Sequence, residues 1–189
     1  MSDEKHISDE QLIAWLRDKD LQEKGFRALL SKYQERLYWH IRRLVLEHED
    51  ANDVLQDCLV KVYRKFSSFR GQSQLYTWLY RIATNEALSF LRKQKRKQVQ
   101  SMDDDDLHLA DRLTADPYFD GNQAQAQLQQ ALGTLPDKQR VVFNLRYFES
   151  MSYQEMSDIL GTSTGALKAS YHHAVKKIEK SVVATTMNT

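Results

Sequence analysis

The sequence predicts an all-α protein: two small helical domains joined by an acidic flexible linker, the C-terminal one containing a helix-turn-helix. Three observations carry this prediction. Apolar residues recur at helical spacing through two long stretches. Only two prolines and six glycines punctuate the 189 residues, and no run alternates apolar and polar residues between turns. Between the two periodic stretches the composition turns abruptly acidic. The domains are expected at 8–98 and 124–183, with the linker at 99–123.

Residues 7–46 form one or two amphipathic helices through Leu12, Ile13 and Leu16, then Phe26, Leu29, Leu30, Tyr33, Leu37, Ile41, Leu44 and Val45. In LEHEDANDVLQDCLVKVYRKF, the residues Val54, Leu55, Cys58, Leu59, Val62, Tyr63 and Phe66 stack on one helical face. The opposite face carries Asp50, Asp53, Gln56, Asp57 and Lys61. SSFRGQSQ, with its serines and Gly71, is a loop. A further helix, Leu75 to about Lys97, buries Leu75, Trp78, Leu79, Ile82, Ala83, Ala87, Phe90 and Leu91.

From 98 to 120, Asp103, Asp104, Asp105, Asp106, Asp111, Asp116 and Asp120 stand against a single basic residue, Arg112. Such a segment cannot bury enough apolar surface to fold alone. Helical periodicity resumes through Leu128, Leu132 and Leu135, then Val141, Val142, Leu145 and Phe148. A module this small buries only about 60% of its unfolded surface, so the second domain is expected to be the less stable unless a partner supports it.

Composition narrows the function classes. A chain with 28% charged and 41% hydrophobic residues is globular and soluble in type. Its opening, MSDEKHISDE, is charged rather than basic and then apolar, and no run approaches the roughly 18 apolar residues of a spanning helix. No membrane insertion is expected, and the location is cytoplasmic. The single cysteine, Cys58, excludes disulfide scaffolding and cysteine-ligated zinc within one chain, and reads as a small buried hydrophobe. No metal and no cofactor are expected.

The most specific local signal is DILGTSTGALKASYHHAV. Ser152 and Glu155 fit a capping box that starts one helix, and Gly161 stands where that helix must end, with positive φ. Ser163 can cap the next helix, which turns Leu167, Ser170 or Tyr171, Ala174 and Ile178 inward. Thr164, Gly165, Lys168, Ala169, His172 and Lys176 then face outward. Two helices crossing at so tight a turn define a helix-turn-helix, whose second helix enters the DNA major groove. An αα-hairpin without a ligand is the plainer alternative. Small residues where a duplex would approach, unmatched cations and helix N-terminal amides favour DNA. His172 and His173 are adjacent and point about 100° apart, which disfavours joint metal ligation.

The helix from Leu75 presents Tyr76, Thr77, Tyr80, Arg81, Thr84 and Asn85 away from its apolar stripe, and ends in RKQKRK, which begins with Arg92 and Lys93. Aromatics interleaved with cations suit unpaired nucleotides better than duplex alone. The alternatives are tyrosines packed under the preceding loop and a solvated basic helix end that complements the macrodipole.

DANDVLQDCLVKVYRKFSSFRGQSQLYTWLYRIATNEALSFLR resembles region two of the bacterial sigma-70 family of RNA polymerase initiation factors. LPDKQRVVFNLRYFESMSYQEMSDILGTSTGALKASYHHAVKKIE resembles its region four. Order and separation are similar to the small extracytoplasmic-function class. The resemblance implies a specificity subunit that binds core RNA polymerase through its β′ and β subunits, directs it to promoters and helps open the duplex. Asp53, Val54, Gln56, Asp57 and Lys61 would then lie on or near the polymerase-docking surface. Phe69, Arg70, Gln72, Ser73, Tyr76, Thr77, Tyr80, Arg81, Asn85, Arg92 and Lys93 would meet the minus-ten element, with the loop Phe69 to Tyr76 as a pocket for a flipped base. Thr164, Gly165, Lys168, Ala169, His172 and Lys176 would read the minus-thirty-five element as duplex. An anti-sigma factor is a further candidate partner.

The pattern departs from the family at Ser170, His173 and Val175, where arginines are usual, and at Ser89, where aspartate is common. Fewer fixed cations imply weaker intrinsic DNA affinity. The net charge of +1 reflects a balance, with the acidic linker and the stretch Glu47 to Asp57 offsetting basic surfaces elsewhere. As a chain segment the linker extends to at most about 90 Å, enough for two turns of duplex at about 70 Å. The competing function is a conventional helix-turn-helix regulator with an N-terminal sensing or dimerisation domain. An enzyme acting on DNA ranks last, because no positioned nucleophile or metal-binding carboxylate cluster is apparent; no catalytic residue is expected.

Overall fold

The computed structural model describes residues 7–101 and 123–187, with side chains over 7–97 and 127–183. The linker aspartates, Asp103 to Asp106 among them, lie outside the described residues. Among the described residues there are eight α-helices and no strand.

The first domain comprises α1 (Asp9–Arg17), α2 (Gln22–Val45), α3 (His48–Lys65), one 3₁₀ turn (Phe66–Ser68) and α4 (Leu75–Ser101). The 7–46 stretch is two helices because the Asp18 carboxylate accepts the Asp20 N–H at 2.9 Å and turns the chain. Gly25 lets α1 and α2 touch: a Cβ there would stand 3.0 Å from both Leu16 N and Trp15 Cβ. α2 is the central helix and packs on α1, α3 and α4. Its apolar stripe, Leu29, Leu37, Ile41 and Leu44, meets Leu12, Val62, Leu75 and Leu79 in one core. Cys58 sits fully buried in that core, and burial pushes its thiol up to about 12, leaving no reactive thiolate at neutral pH.

The second domain comprises α5 (Gln123–Gly133), α6 (Asp137–Tyr147), α7 (Tyr153–Leu160) and α8 (Thr164–Met187). The capping box is formed in full: Glu155 N–H donates to Ser152 Oγ at 3.2 Å, and Ser152 N–H to Glu155 Oε2 at 2.7 Å. Gly161 has φ 62 and its N–H donates to Ser157 O at 2.8 Å, closing α7. Ala131, Leu132, Leu135, Phe143, Ala174 and Ile178 make a second, smaller core. Phe143 stacks on Tyr171 across it, ring centroids 5.8 Å apart.

The two domains do not stand apart. Val141, Val142, Leu145, Met151, Met156, Ile159 and Leu167 of the second domain are continuous with the core of the first. α6 packs on α2 and α7 packs on α4. The smaller domain, expected to be the less stable unless a partner supports it, thus packs on the larger domain of its own chain. α4 also runs to Ser101, beyond the expected end near Lys97.

Candidate nucleic-acid interface

On α8 the expected reading face is solvent-facing. Gly165, Lys168, Ala169, His172 and Lys176 are exposed and Thr164 is half-buried, while Leu167, Ala174 and Ile178 point inward. Ser163 caps the helix, its Oγ accepting the Ala166 N–H at 3.4 Å. A Cβ at Gly165 would meet nothing within 4 Å, so the start of the helix is open to an approaching surface. Lys168 Nζ lies 5.7 Å from the Tyr153 ring, which steadies the cation without neutralising it. A groove beside this face is lined by Gln139, His173, Lys176, Lys177 and Lys180. Its lysines, at i, i+3 and i, i+4 spacing, carry the basic surface along α8 as far as Lys180.

On α3, Asp53, Gln56 and Asp57 are exposed. Val54 is not a surface residue: it is 3% exposed and belongs to the core, because it falls on the same stripe as Leu55 and Cys58. Lys61 is tied to Glu86 of α4 at 2.5 Å, an exposed α3–α4 clasp.

The α4 surface differs most from expectation. Arg70, Gln72, Asn85, Arg92 and Lys93 are exposed, and Ser73 and Tyr76 are half-buried. Phe69 is buried: it packs on Trp78 at 5.3 Å and Phe66 at 5.8 Å, while its carbonyl accepts from Arg17 Nη2 at 3.4 Å. It supports the loop from beneath and offers no ring face for stacking. Thr77, Tyr80 and Thr84, expected to point outward, are buried as well.

Two layers cover Tyr80 and Thr84. His40 of α2 is fully buried, its Nε2 2.9 Å from Thr84 Oγ1 and its ring edge-on to Tyr80 at 5.0 Å. Burial, with Arg43 nearby, pushes His40 down to about 3, so it is neutral. The α6–α7 turn then lies over Tyr80, whose hydroxyl donates to the Glu149 carboxylate. The same carboxylate is 3.5 Å from Arg43 and 3.7 Å from Arg36, and its side chain is only 8% exposed. Arg43 also sits 3.9 Å over the Phe148 ring.

Two further bonds cross between the domains: Arg81 Nη2 to Asp158 O at 2.6 Å, and Lys95 Nζ to Asp137 Oδ2 at 2.8 Å. Sequence reasoning missed Arg36, His40, Arg43 and Glu149. The available signal was a polar set at i, i+4 and i+7 on one face of α2.

Among the described residues no helix is long and apolar enough to cross a membrane, and no group of three or more His, Cys, Asp or Glu could hold a metal ion.

Residues 29–97 match sigma-70 region 2 and residues 125–178 match sigma-70 region 4. The RNA polymerase sigma-H factor of Pseudomonas aeruginosa is 30% identical over 182 residues, covering 92% of this chain and 93% of that protein. The ECF RNA polymerase sigma-E factor of Haemophilus influenzae is 29% identical over 184 residues, covering 93% and 96%. Among solved structures, the sigma factor RpoE in complex with the anti-sigma factor NepR from Bartonella quintana superposes with a TM-score of 0.70 at 25% identity, over 84% of this chain and 97% of that one. CnrH in complex with the cytosolic domain of CnrY shares the fold, with a TM-score of 0.65 at 21% identity over 96% of this chain and 99% of that one.

Proposed function

Because this chain belongs to the sigma-70 family of RNA polymerase sigma factors, of the extracytoplasmic-function type, we propose that its two domains divide promoter recognition between them. It is a transcription initiation factor: it binds core RNA polymerase and promoter DNA and directs one to the other. The division of labour rests on one observation, the open basic face of α8 in the region-4 domain set against the loop and α4 surface of the region-2 domain.

In this reading Thr164, Gly165, Lys168, Ala169, His172 and Lys176 enter the major groove at the minus-thirty-five element. Lys177 and Lys180 follow the phosphates beside them. Arg70, Gln72, Ser73, Tyr76 and Asn85 meet the melted minus-ten strand, and Arg92 and Lys93 hold its backbone. Asp53, Gln56 and Asp57 dock on the polymerase, with Val54 anchoring their helix from the core side. The chain carries no catalysis of its own and works in the cytoplasm alongside the polymerase. An anti-sigma factor would hold it in reserve; the sigma factor RpoE of Bartonella quintana is itself found in complex with the anti-sigma factor NepR.

The test is reconstitution. The purified chain, added to core polymerase with a promoter library, is expected to give transcripts with promoter-defined starts. Specific duplex binding with no polymerase-dependent transcripts would mark an ordinary regulator instead.

A further inference from the structure

We propose that Arg36, Arg43 and Tyr80 form a binding site for a phosphodiester of melted DNA, which the Glu149 carboxylate occupies in the free chain, so that the DNA strand and the second domain compete for it. The inference rests on the reading above that α4 faces the opened strand.

Donors from two helices of the first domain converge on one carboxylate from the second: Tyr80 from α4, Arg36 and Arg43 from α2. Carboxylate and phosphodiester present the same kind of anionic oxygens, and arginine matches both. Arg36 is 56% exposed, so one side of the cradle is open to an incoming strand. Tyr80 is one helical turn from Tyr76 and adjacent to Arg81, on the helix that goes on to Asn85, Arg92 and Lys93. A strand laid along that helix would run into α7, whose Asp158 carbonyl already holds Arg81. DNA and the closed arrangement exclude each other.

Glu149 is presented for this contact rather than caught in it by chance. The next residue, Ser150, takes the left-handed φ of 55, uncommon without glycine. The N–H groups of Phe148 and Glu149 share the Asn144 carbonyl at 3.1 and 3.3 Å, and Met151 N–H returns to Leu145 O at 3.0 Å, which fixes the turn.

The closed contact is also built to be reversible. Arg81, whose Nη2 is held by Asp158 O, has its Nε buried without a protein partner among the described residues, and domain separation would give it water.

A phosphodiester and Glu149 carry the same single charge, so one phosphate alone gains nothing over a tethered carboxylate. A strand brings further phosphates to Arg81, Arg92 and Lys93, and wins by multivalency.

The experiment uses the full chain and its Glu149→Gln variant with a fluorescent 20-residue oligothymidylate. If the competent form is about one-tenth populated in the wild type, Glu149→Gln should tighten binding roughly tenfold. Its radius of gyration by X-ray scattering should also rise, and free inorganic phosphate should reproduce neither effect. Adding Arg43→Ala should abolish the gain and flatten the salt dependence. A Glu149→Gln protein that stays as compact as wild type, binds no tighter, or keeps its gain without Arg43 overturns the proposal. Should circular dichroism show that Glu149→Gln does not fold, Glu149→Ala, which removes the carboxylate and leaves Arg36, Arg43 and Tyr80 in place, carries the same comparison. Promoter-defined transcripts from the wild type with core polymerase separate the two ideas: their absence defeats the functional reading, whereas unchanged variants beside normal transcripts defeat only the competition.

Discussion

Tyr80 of α4 donates its hydroxyl to Glu149, a residue 69 positions later in the chain and in the other domain. Burial, with Glu149 beside it, holds this phenol above its ordinary titration range, so it remains a donor at neutral pH. Around this bond the apolar cores of the two domains are continuous, with Leu37 and Ile41 on one side and Val142 and Leu145 on the other. The contact should therefore add to the stability of the folded chain. Tyr80→Phe removes one bond of it and should cost about 1 kcal/mol, lowering the calorimetric melting temperature. A melting profile unchanged by Tyr80→Phe would contradict a stabilising contact.

The α7 ends test the helix-turn-helix itself. Gly161 has φ 62, and an alanine there should cost about 1–2 kcal/mol from the left-handed strain of its Cβ. Ser152→Ala removes one arm of the capping box and should cost about 1 kcal/mol. Urea melts monitored by helical ellipticity check both, and a neutral Gly161→Ala would mean that α7 continues through the turn.

Much of this was legible in the sequence because it is written locally. The capping box, the positive-φ glycine and the outward set on α8 are fixed by residues within a few positions of each other. Tyr80 and Thr84 were misplaced as surface because their covers are remote: His40 lies on α2, and Glu149 lies beyond the linker. Helical periodicity reports which face is apolar, not whether a polar face will meet another polar face. Val54 shows the converse, since a family pattern placed it near a docking surface while its own spacing put it in the core.

His40 makes stability depend on acidity. Its folded value of about 3 lies below the ordinary histidine value, about 6.5, so between those limits the unfolded chain binds the extra proton. Stability from this group is intact above about pH 6.5 and falls as the pH drops toward 3. Between pH 7 and pH 5 the loss is on the order of 2 kcal/mol. His40→Asn should flatten that part of the pH profile of urea unfolding, and a profile equally steep without the imidazole would show that other groups set it.

Lys168 separates base reading from phosphate contact. It is exposed on the reading face, with the Tyr153 ring beside its ammonium. Lys168→Ala should weaken holoenzyme binding by about 1–3 kcal/mol at one sequence position if it reads a base, or by a uniform amount with a shallower salt slope if it touches phosphate. Competition with promoter variants distinguishes the two, and no change in either would remove Lys168 from the interface.

The account's central claim is that an initiation factor holds its two promoter-binding domains together when free and parts them on the polymerase. Energy transfer between dyes placed at exposed Gln72 and His172 measures this directly, because the native Cys58 is too buried to label. High transfer in the free chain, falling sharply when core polymerase is added, is the predicted result. Transfer that is unchanged on a polymerase shown to carry the chain would contradict it.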